Sequence, residues 1–393
     1  MTAGKRDHTL GIWALTLGYF LFYIPYSGIS KAVTSGLLTG GRSIPGTELL
    51  PAAGISTAIT VLLFITARRW WKHGRQRRVL GLNVVVPRRQ TLISGVGFAT
   101  IIFTTTLAYS FSGISIMLAL ILMRAGVLII SPMIDRVFCR RIRWFSWAGL
   151  VLSLVALAIS FTRVHEYELS LAALLNLAAY LSGHVLRIPA MTQIAKTGEP
   201  ETALGYFVEE QAVAMLLLIC FPCAVAFLGK GEIANELRAG FAHLSSPIGL
   251  AGWTIGIFYA GLGICLSFIY LDRRENTFCM PLFACSSLLS GIAASYLLAL
   301  WMHGARPHRV EISAALLIIA ALLVMSPLHH LPLYIRQLRN AIAEHRLILV
   351  DFKGNSSSKT APLSAVSSAT RFITVNFDAM RDVLRNPPAE KQP

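Results

Sequence analysis

The stretch SIMLALILMRAGVLIISPMIDRVFCRRIRWFSWAGLVLSLVALAIS, residues 115–160, consists of two apolar runs separated by a basic turn. A helix needs roughly 20 apolar residues to cross a hydrocarbon core about 30 Å thick, and each run is close to that length. The stretch therefore predicts a hairpin of two membrane-spanning helices. One charge stands against this pattern, because Arg124 lies in the middle of the first run. An arginine at that depth costs about 2.5–3.5 kcal/mol on insertion scales.

The composition extends this prediction to the whole chain. Of its 393 residues, 55% are hydrophobic and 14% are charged, and the mean hydropathy is +0.62. Soluble domains carry about 25% charged residues, so the composition indicates an integral membrane protein. The net charge of +16 would favour a nucleic-acid partner in a soluble protein. Here we expect no nucleic-acid partner, because Lys and Arg concentrate on the cytoplasmic side of membrane proteins.

Ten apolar segments are predicted to span the membrane. They lie at residues 11–35, 47–68, 91–109, 112–134, 143–162, 168–189, 204–228, 248–270, 277–302 and 309–326. With the N-terminus in the cytoplasm, the inner segments contain 27 of the 35 Lys and Arg residues and the outer segments contain 7. This bias predicts that both termini are cytoplasmic. Residues 329–393 would then form a cytoplasmic tail with an amphipathic helix and a flexible linker.

The two halves of the chain show an internal repeat. RIRWFSWAGLVLSLVALAIS at 141–160 aligns with PHRVEISAALLIIAALLVMS at 307–326. We therefore expect two five-helix repeats, at 1–165 and 166–328. Because five is an odd number, the repeats would insert in opposite orientations, an arrangement common among secondary transporters.

The hairpin at 115–160 and its counterpart CMPLFACSSLLSGIAASYLLALWMHGARPHRVEISAALLIIAALLVMS, at 279–326, resemble the duplicated hairpins of the drug/metabolite transporter superfamily. The likeness is closest to its EamA-like branch and covers residues 10–326. It implies an all-α integral membrane protein of ten transmembrane helices in two inverted five-helix repeats. It also implies a multi-pass protein of the bacterial inner membrane that moves a small molecule by alternating access. The turns CRRIR and GARPHR lack the acidic residue that the family usually carries there.

Motifs of catalytic sites are missing from the sequence. It contains no Walker loop, GxSxG or HExxH motif, and no soluble region with paired carboxylates. Cys220 and Cys223 have CxxC spacing, but they lie in an apolar run without a second pair or a His partner, so the six cysteines indicate no zinc site or disulfide framework. We therefore expect no enzymatic activity, no catalytic residue, no metal and no cofactor. The expected partners are a small-molecule substrate and the lipid bilayer, and a homodimer is left open.

Arg124 is the first candidate for a substrate site, since its charge must face protein, water or an anion. One interpretation is an ion pair with a carboxylate, or contacts with carbonyl groups where a helix breaks. A second is a fixed cation that receives the carboxylate or phosphate of an anionic metabolite. A third is a displaced helix in which Arg124 snorkels to the interface. We adopt the second interpretation, which makes the protein a transporter of a small anion.

Three tyrosines in the first span, Tyr19, Tyr23 and Tyr26, follow i, i+4, i+7 spacing and form one stripe. The stripe is a candidate cavity lining for a polar substrate, although aromatic packing and interface belts are commoner. Pro25 is expected to interrupt this helix beside Tyr26.

His184 and Arg187 share a face of the sixth span, three residues apart. We expect Gly183 and Pro189 to loosen the inner end of that span, so that the pair contacts substrate or forms a gate. An interfacial histidine beside a snorkelling arginine is the commoner arrangement.

Glu209 and Glu210 are adjacent in the seventh span, about 100° apart on a helix. One could be the counter-ion of Arg124 or Arg187 while the other carries a proton. The alternative places both at the cytoplasmic interface, near the positive end of the helix dipole.

Two other functions remain open at this point. The first is a flippase for an amphipathic or lipid-linked anion. The second is a non-transporting membrane scaffold that acts through its C-terminal tail.

Overall fold

The computed structural model of the protein describes residues 3–79, 82–108, 116–161, 171–196, 199–302 and 309–325. These residues are mostly helical, and Ile12–Met325 forms one compact unit. The helices are α1 Ala3–Thr34, α2 Gly46–Ala67, α3 Arg89–Ala108, α4 Ile116–Val137, α5 Trp144–Phe161, α6 Leu171–Ile194, α7 Pro200–Leu228, α8 Glu232–Ala242, α9 Pro247–Leu271, α10 Asn276–Met302 and α11 Arg309–Met325. The predicted tail helix and linker, and the turns SFSG and GARPHR, lie outside the described residues or at their limits.

The protein is a multi-pass helical membrane protein. Among the described residues, seven helices are long and apolar enough to cross a bilayer. They are Gly11–Thr34, Gly46–Ala67, Arg89–Ala108, Leu171–Ile194, Pro200–Leu228, Pro247–Leu271 and Asn276–Trp301. Two shorter apolar helices, Trp144–Ile159 and Ile312–Met325, accompany them. Each of the ten segments predicted as spans coincides with a helix.

Two elements of the loops were not predicted. The chain between α2 and α3 forms a 3-10 turn at Trp70–His73 and then an antiparallel pair of strands, β1 Gln76–Val79 and β2 Leu82–Val85. The short helix α8 lies between α7 and α9, and His243 at its end bonds Glu48 of α2 through Nδ1 at 2.6 Å. Both elements are too polar or too short to be recognised by a search for apolar spans.

The helices pack closely where glycine removes the side chain. α2 packs against α9, and a Cβ at Gly256 of α9 would overlap the carbonyl oxygen of Ala53 and the hydroxyl of Ser56. α3 packs against α6, where a Cβ at Gly97 would lie 2.6 Å from the carbonyl oxygen of Gly183. Small residues let membrane helices approach at backbone distance and gain dispersion contacts.

The prolines do not break their helices as the sequence predicted. α1 runs without interruption through Pro25, and α6 continues through Pro189 to Ile194. Hydroxyl groups support the backbone nearby, since Ser27 donates to the carbonyl of Tyr23 at 2.8 Å. Thr192 donates to the carbonyl of Ile188 at 2.7 Å. Pro25 and Pro189 free the carbonyl groups of Leu21 and Val185, four residues earlier, so these hydroxyl bonds do not replace the backbone bonds that the prolines lack.

We expect Gly256→Ala to lower stability by about 1–3 kcal/mol, because the added methyl group has no space between α9 and α2. The matched control is Gly11→Ala, where an added Cβ would have no atom within 4 Å. The thermal unfolding midpoints of the two detergent-solubilised variants are compared with the midpoint of the wild type. Equal midpoints for the two variants would contradict the described α2–α9 contact.

Candidate functional site

Arg124 lies in the middle of α4 with only 2% of its surface exposed. Its Nε donates to the hydroxyl of Ser287 on α10 at 2.8 Å. Its Nη2 donates to the hydroxyls of Tyr23 and Tyr19 on α1 at 3.2 and 3.5 Å. Its Nη1 donates to the hydroxyl of Tyr180 on α6. Three other helices therefore supply hydroxyl groups to one guanidinium.

Aromatic rings cover the faces of the same guanidinium. Its Cζ lies 4.1 Å from the ring centroid of Phe283, and 5.7 and 5.9 Å from those of Tyr180 and Tyr23. A ring face attracts a cation strongly where water is excluded. We call Arg124 with Tyr19, Tyr23, Tyr180, Phe283 and Ser287 the arginine–tyrosine cluster. The interpretation of Arg124 as a snorkelling residue is wrong, because its guanidinium lies inside the helix bundle.

The tyrosine stripe of α1 is entirely buried, and only two of its members reach Arg124 among the described contacts. The rings of Tyr19 and Tyr23 lie 5.3 Å apart, and that of Tyr26 follows at 5.4 Å. Tyr26 packs edge-to-face on Tyr259 at 4.9 Å, and its hydroxyl lies 3.5 Å from that of Thr106. The stripe thus extends the cluster away from Arg124 towards α3 and α9.

His184 is fully buried, with a partner at each ring nitrogen. Nδ1 lies 3.1 Å from the carbonyl oxygen of Tyr180, and Nε2 lies 3.3 Å from the hydroxyl of Tyr270 on α9. The ring also packs on that of Tyr180 at 4.5 Å. His184 is therefore enclosed by neighbouring helices.

Arg187 and Glu210 form a buried ion pair with two hydrogen bonds, at 2.9 and 2.8 Å. Arg187 also donates to Ser267 at 2.8 Å, and Glu210 accepts from Ser94 at 2.6 Å and from Tyr206 at 3.2 Å. A bidentate arginine–carboxylate pair is strong and geometrically specific. Arg187 therefore does not snorkel. Glu210 is its counter-ion.

Glu209 points to a different partner, as the 100° step between adjacent helical residues requires. Its carboxylate accepts from the backbone N–H groups of Arg75 and Arg88 at 3.2 and 3.0 Å, and from the hydroxyl of Thr91 at 2.8 Å. These groups flank β1 and β2, so Glu209 fixes both ends of the strand pair to α7. The described contacts of Glu209 do not include the arginine–tyrosine cluster.

His184 connects the two buried arginines. Tyr180 contacts Arg124 through its hydroxyl and His184 through its carbonyl group. On the other side of the imidazole, the ring of Tyr270 lies 5.3 Å from Cζ of Arg187. The residues that we predicted separately on α1, α4, α6 and α7 thus form one continuous polar and aromatic core, with Glu209 outside it.

A second polar network joins the end of α4 to the start of α10. Asp135 is fully buried and accepts from the backbone N–H groups of Asn276 and Thr277 at 3.0 and 2.6 Å. It also accepts from the side chains of the same two residues, at 2.9 and 2.7 Å. A carboxylate in this position satisfies N–H groups that have no partner within the helix.

Glu275 makes the reverse connection, from the turn before α10 to the start of α5. It accepts from Nε of Arg143 at 2.8 Å and from the hydroxyl of Ser146 at 2.6 Å. We call Asp135 and Glu275 with their partners the reciprocal caps. Burial alone would raise the pKa of the Glu275 carboxyl, but the hydrogen bonds from Arg143 and Ser146 outweigh it, and this pKa is below its ordinary value of 4.5.

Two parts of the core were missed by the sequence analysis. Tyr180 precedes His184 and Arg187 with i, i+4, i+7 spacing, the same spacing as in the stripe of α1, so a signal was present. The reciprocal caps had no such signal, because their partners are separated by more than a hundred residues in the chain. Within the described ranges, no group of three or more His, Cys, Asp or Glu side chains could hold a metal ion.

Comparisons with known proteins do not supply a family. No family model matches the sequence, and no curated protein matches it. One solved structure, the crystal structure of another protein, aligns with a sequence identity of 15% and a TM-score of 0.45. The alignment covers 82% of this chain and 97% of that one. A likeness of this size carries no argument, so the function is inferred from the geometry of the site.

We expect Asp135→Ala to lower stability by about 2 kcal/mol or more, because it leaves the N–H groups of Asn276 and Thr277 buried without an acceptor. The control is Glu201→Ala, an exposed acid in the first turn of α7, with an expected loss below about 1 kcal/mol. The unfolding midpoints of the Asp135→Ala and Glu201→Ala variants are measured in detergent and compared. A midpoint of Asp135→Ala equal to that of the control would contradict the capping role.

We expect the stabilisation by Glu275 to disappear in acid. Its pKa is lowered in the folded state from the ordinary value of 4.5, so the stabilisation is complete above that ordinary value and is lost as the pH falls through the folded pKa. The stability difference between wild type and Glu275→Gln should therefore shrink between pH 6 and pH 3. Unfolding midpoints across this range measure the difference, and a constant value would disagree with the expectation.

Proposed function

We propose that the protein is a secondary active transporter that moves a small anionic metabolite across the bacterial inner membrane by alternating access. The observation that carries this proposal is the arginine–tyrosine cluster. Arg124 is buried in the middle of α4, and its partners come from α1, α6 and α10. A permanent cation deep in an apolar bundle is a functional site by default in a membrane protein.

The chemistry of the cluster suits reversible binding of an anion. A guanidinium presents several N–H donors in a planar fork that matches a carboxylate or phosphate. Tyrosine and serine hydroxyls both donate and accept. When an anion arrives, the hydroxyls of Tyr23 and Tyr180 can change from accepting from Arg124 to donating to the anion. The same groups therefore satisfy Arg124 in the empty site and help to bind the substrate.

Some of the helix contacts, although not that of α3 with α6, follow the proposal of ten spans in two inverted halves, 1–165 and 166–328. In this scheme α1 to α5 correspond to α6, α7, α9, α10 and α11. α4 packs on its counterpart α10, and α5 packs on its counterpart α11. The contact of α2 with α9 has its equivalent in the contact of α7 with α3. The i, i+4, i+7 stripes of α1 and α6 also correspond, at Tyr19–Tyr26 and Tyr180–Arg187.

Alternating access needs an end of the bundle that closes and opens. With both termini in the cytoplasm, the turns that carry the reciprocal caps face the cytoplasm. Asp135 and Glu275 then hold α4, α5 and α10 together on that side. Release of a substrate to the cytoplasm would separate these contacts. We retain membership in the drug/metabolite transporter superfamily, EamA-like branch, as part of the proposal.

We expect uptake to depend on Arg124. A metabolite comparison of cells with and without the protein first identifies the transported anion, and uptake is then measured in liposomes. Arg124→Lys keeps the charge but loses the planar fork, so uptake should fall about tenfold or more, which corresponds to about 1.4 kcal/mol. The control is Arg136→Lys, an exposed arginine on the same helix, which should transport like wild type.

Three results would contradict the proposal in different ways. Undiminished uptake by Arg124→Lys, with normal membrane insertion, would remove Arg124 from the site. Movement of a labelled anionic lipid between leaflets, without uptake of soluble anions, would indicate a flippase. Loss of all activity on deletion of residues 331–393 would indicate a scaffold that acts through its tail, whereas a transporter should retain uptake.

A further inference from the structure

We propose that His184 binds a proton together with the anion at Arg124, so that the protein is a proton–anion symporter. This inference rests on the proposed function and assigns its coupling ion. The evidence is the position of a titratable imidazole between the arginine–tyrosine cluster and the Arg187–Glu210 pair. Histidine is the side chain whose ordinary pKa lies nearest to the pH of the cell.

The partners of His184 define the neutral tautomer. The carbonyl oxygen of Tyr180, 3.1 Å from Nδ1, can only accept, so Nδ1 carries the hydrogen. Nε2 is then an acceptor for the hydroxyl of Tyr270 at 3.3 Å. On protonation Nε2 becomes a donor, and the Tyr270 oxygen can accept from it after rotation of its own hydrogen. The imidazole therefore keeps a hydrogen-bond partner at each ring nitrogen in both protonation states without movement of heavy atoms.

The charges around the imidazole couple its protonation to the anion site. Arg187 lies one turn away on α6 and also opposes a positive charge on the imidazole, although its ion pair with Glu210 of α7 offsets part of this effect. Arg124 of α4 shares Tyr180 with His184 and opposes a second positive charge nearby. An anion bound at Arg124 reduces this opposition and favours the imidazolium. Like charges disfavour ionisation and opposite charges favour it, so proton and anion should bind cooperatively.

Among the residues that the structure describes, the other side chains packed against the imidazole are uncharged. From α9 the imidazole meets Tyr270, and from α10 it meets the ring of Phe283, whose centroid lies 6.4 Å from that of the imidazole. α10 also carries the buried thiol of Cys279. The adjacent part of α3 contributes Ser94 and Phe98 to the Arg187–Glu210 pair, and neither carries a charge.

Glu210 is a poorer proton carrier than His184, although the sequence made it a candidate. Its carboxylate already accepts two bonds from Arg187, together with bonds from Ser94 and Tyr206. Protonation of Glu210 would break the bidentate pair and leave Arg187 as an unbalanced buried charge, which is costly. Protonation of His184 breaks no ion pair. Transport of one proton with one monovalent anion also moves no net charge.

The test measures anion binding by the purified full chain in detergent between pH 5 and pH 8. The probe is benzenesulfonate, which does not titrate in this range, so any pH dependence belongs to the protein. We expect its Kd to fall as the pH is lowered, by up to tenfold per pH unit where binding requires proton uptake. In weakly buffered solution, about one proton should be taken up per anion bound.

Two histidine variants test whether His184 is the residue that takes up the proton. His184→Gln should bind the probe with a Kd that is independent of pH and without proton uptake. The control is His243→Gln, which changes a histidine bonded to Glu48 at the end of α8 and should keep the wild-type pH dependence. If His184→Gln does not fold, Tyr270→Phe serves instead, because loss of the acceptor for the imidazolium should move the pH dependence to lower pH.

The outcomes separate this inference from the proposed function. A wild-type Kd that is constant from pH 5 to pH 8, with no proton uptake, overturns the role of His184 and leaves the anion site intact. Retention of the full pH dependence by His184→Gln also overturns it. Absence of benzenesulfonate binding to wild type at every pH contradicts the anion site itself, and both proposals fail with it.

Discussion

A guanidinium keeps its proton at any pH that the protein meets, so Arg124 must be satisfied by polar groups wherever α4 places it. In the middle of an apolar bundle those groups have to come from neighbouring helices. Tyr23 on α1, Tyr180 on α6 and Ser287 on α10 meet this requirement together. The positions of four helices therefore depend on one charge, and any movement of these helices must reorganise its contacts.

The two buried arginines are satisfied in different ways, and the proposed function assigns a structural role to Arg187 and a binding role to Arg124. Arg187 is held by two bonds to Glu210, a geometry that is costly to break once both charges are buried. Arg124 is held by hydroxyl groups and ring faces, which can turn towards another acceptor without leaving a charge unbalanced. His184 lies between them and can respond to a change at either arginine.

Close packing keeps this polar core away from lipid. Glycines allow α2 to approach α9 and α3 to approach α6 at backbone distance, so the cluster is enclosed by helices rather than by flexible side chains. At one end of the bundle, Asp135 at the end of α4 accepts hydrogen bonds from the start of α10. Glu275, just before α10, accepts a hydrogen bond from the start of α5. These bonds join the turn between α4 and α5 to the turn before α10, which are distant in the chain. The two connections therefore hold that end of the bundle together.

The sequence by itself determined that the chain is a multi-pass helical membrane protein, because apolar length and charge composition are properties of each segment alone. It also singled out Arg124, Tyr23, His184 and Glu210 as candidate site residues, since polar groups are conspicuous within apolar segments. Only the tertiary structure decided which of them meet. It assigned Glu210 to Arg187 and Glu209 to the strand pair, and it kept α1 and α6 helical through their prolines. Partner choice depends on how distant helices pack, and local spacing contains no information about the facing helix.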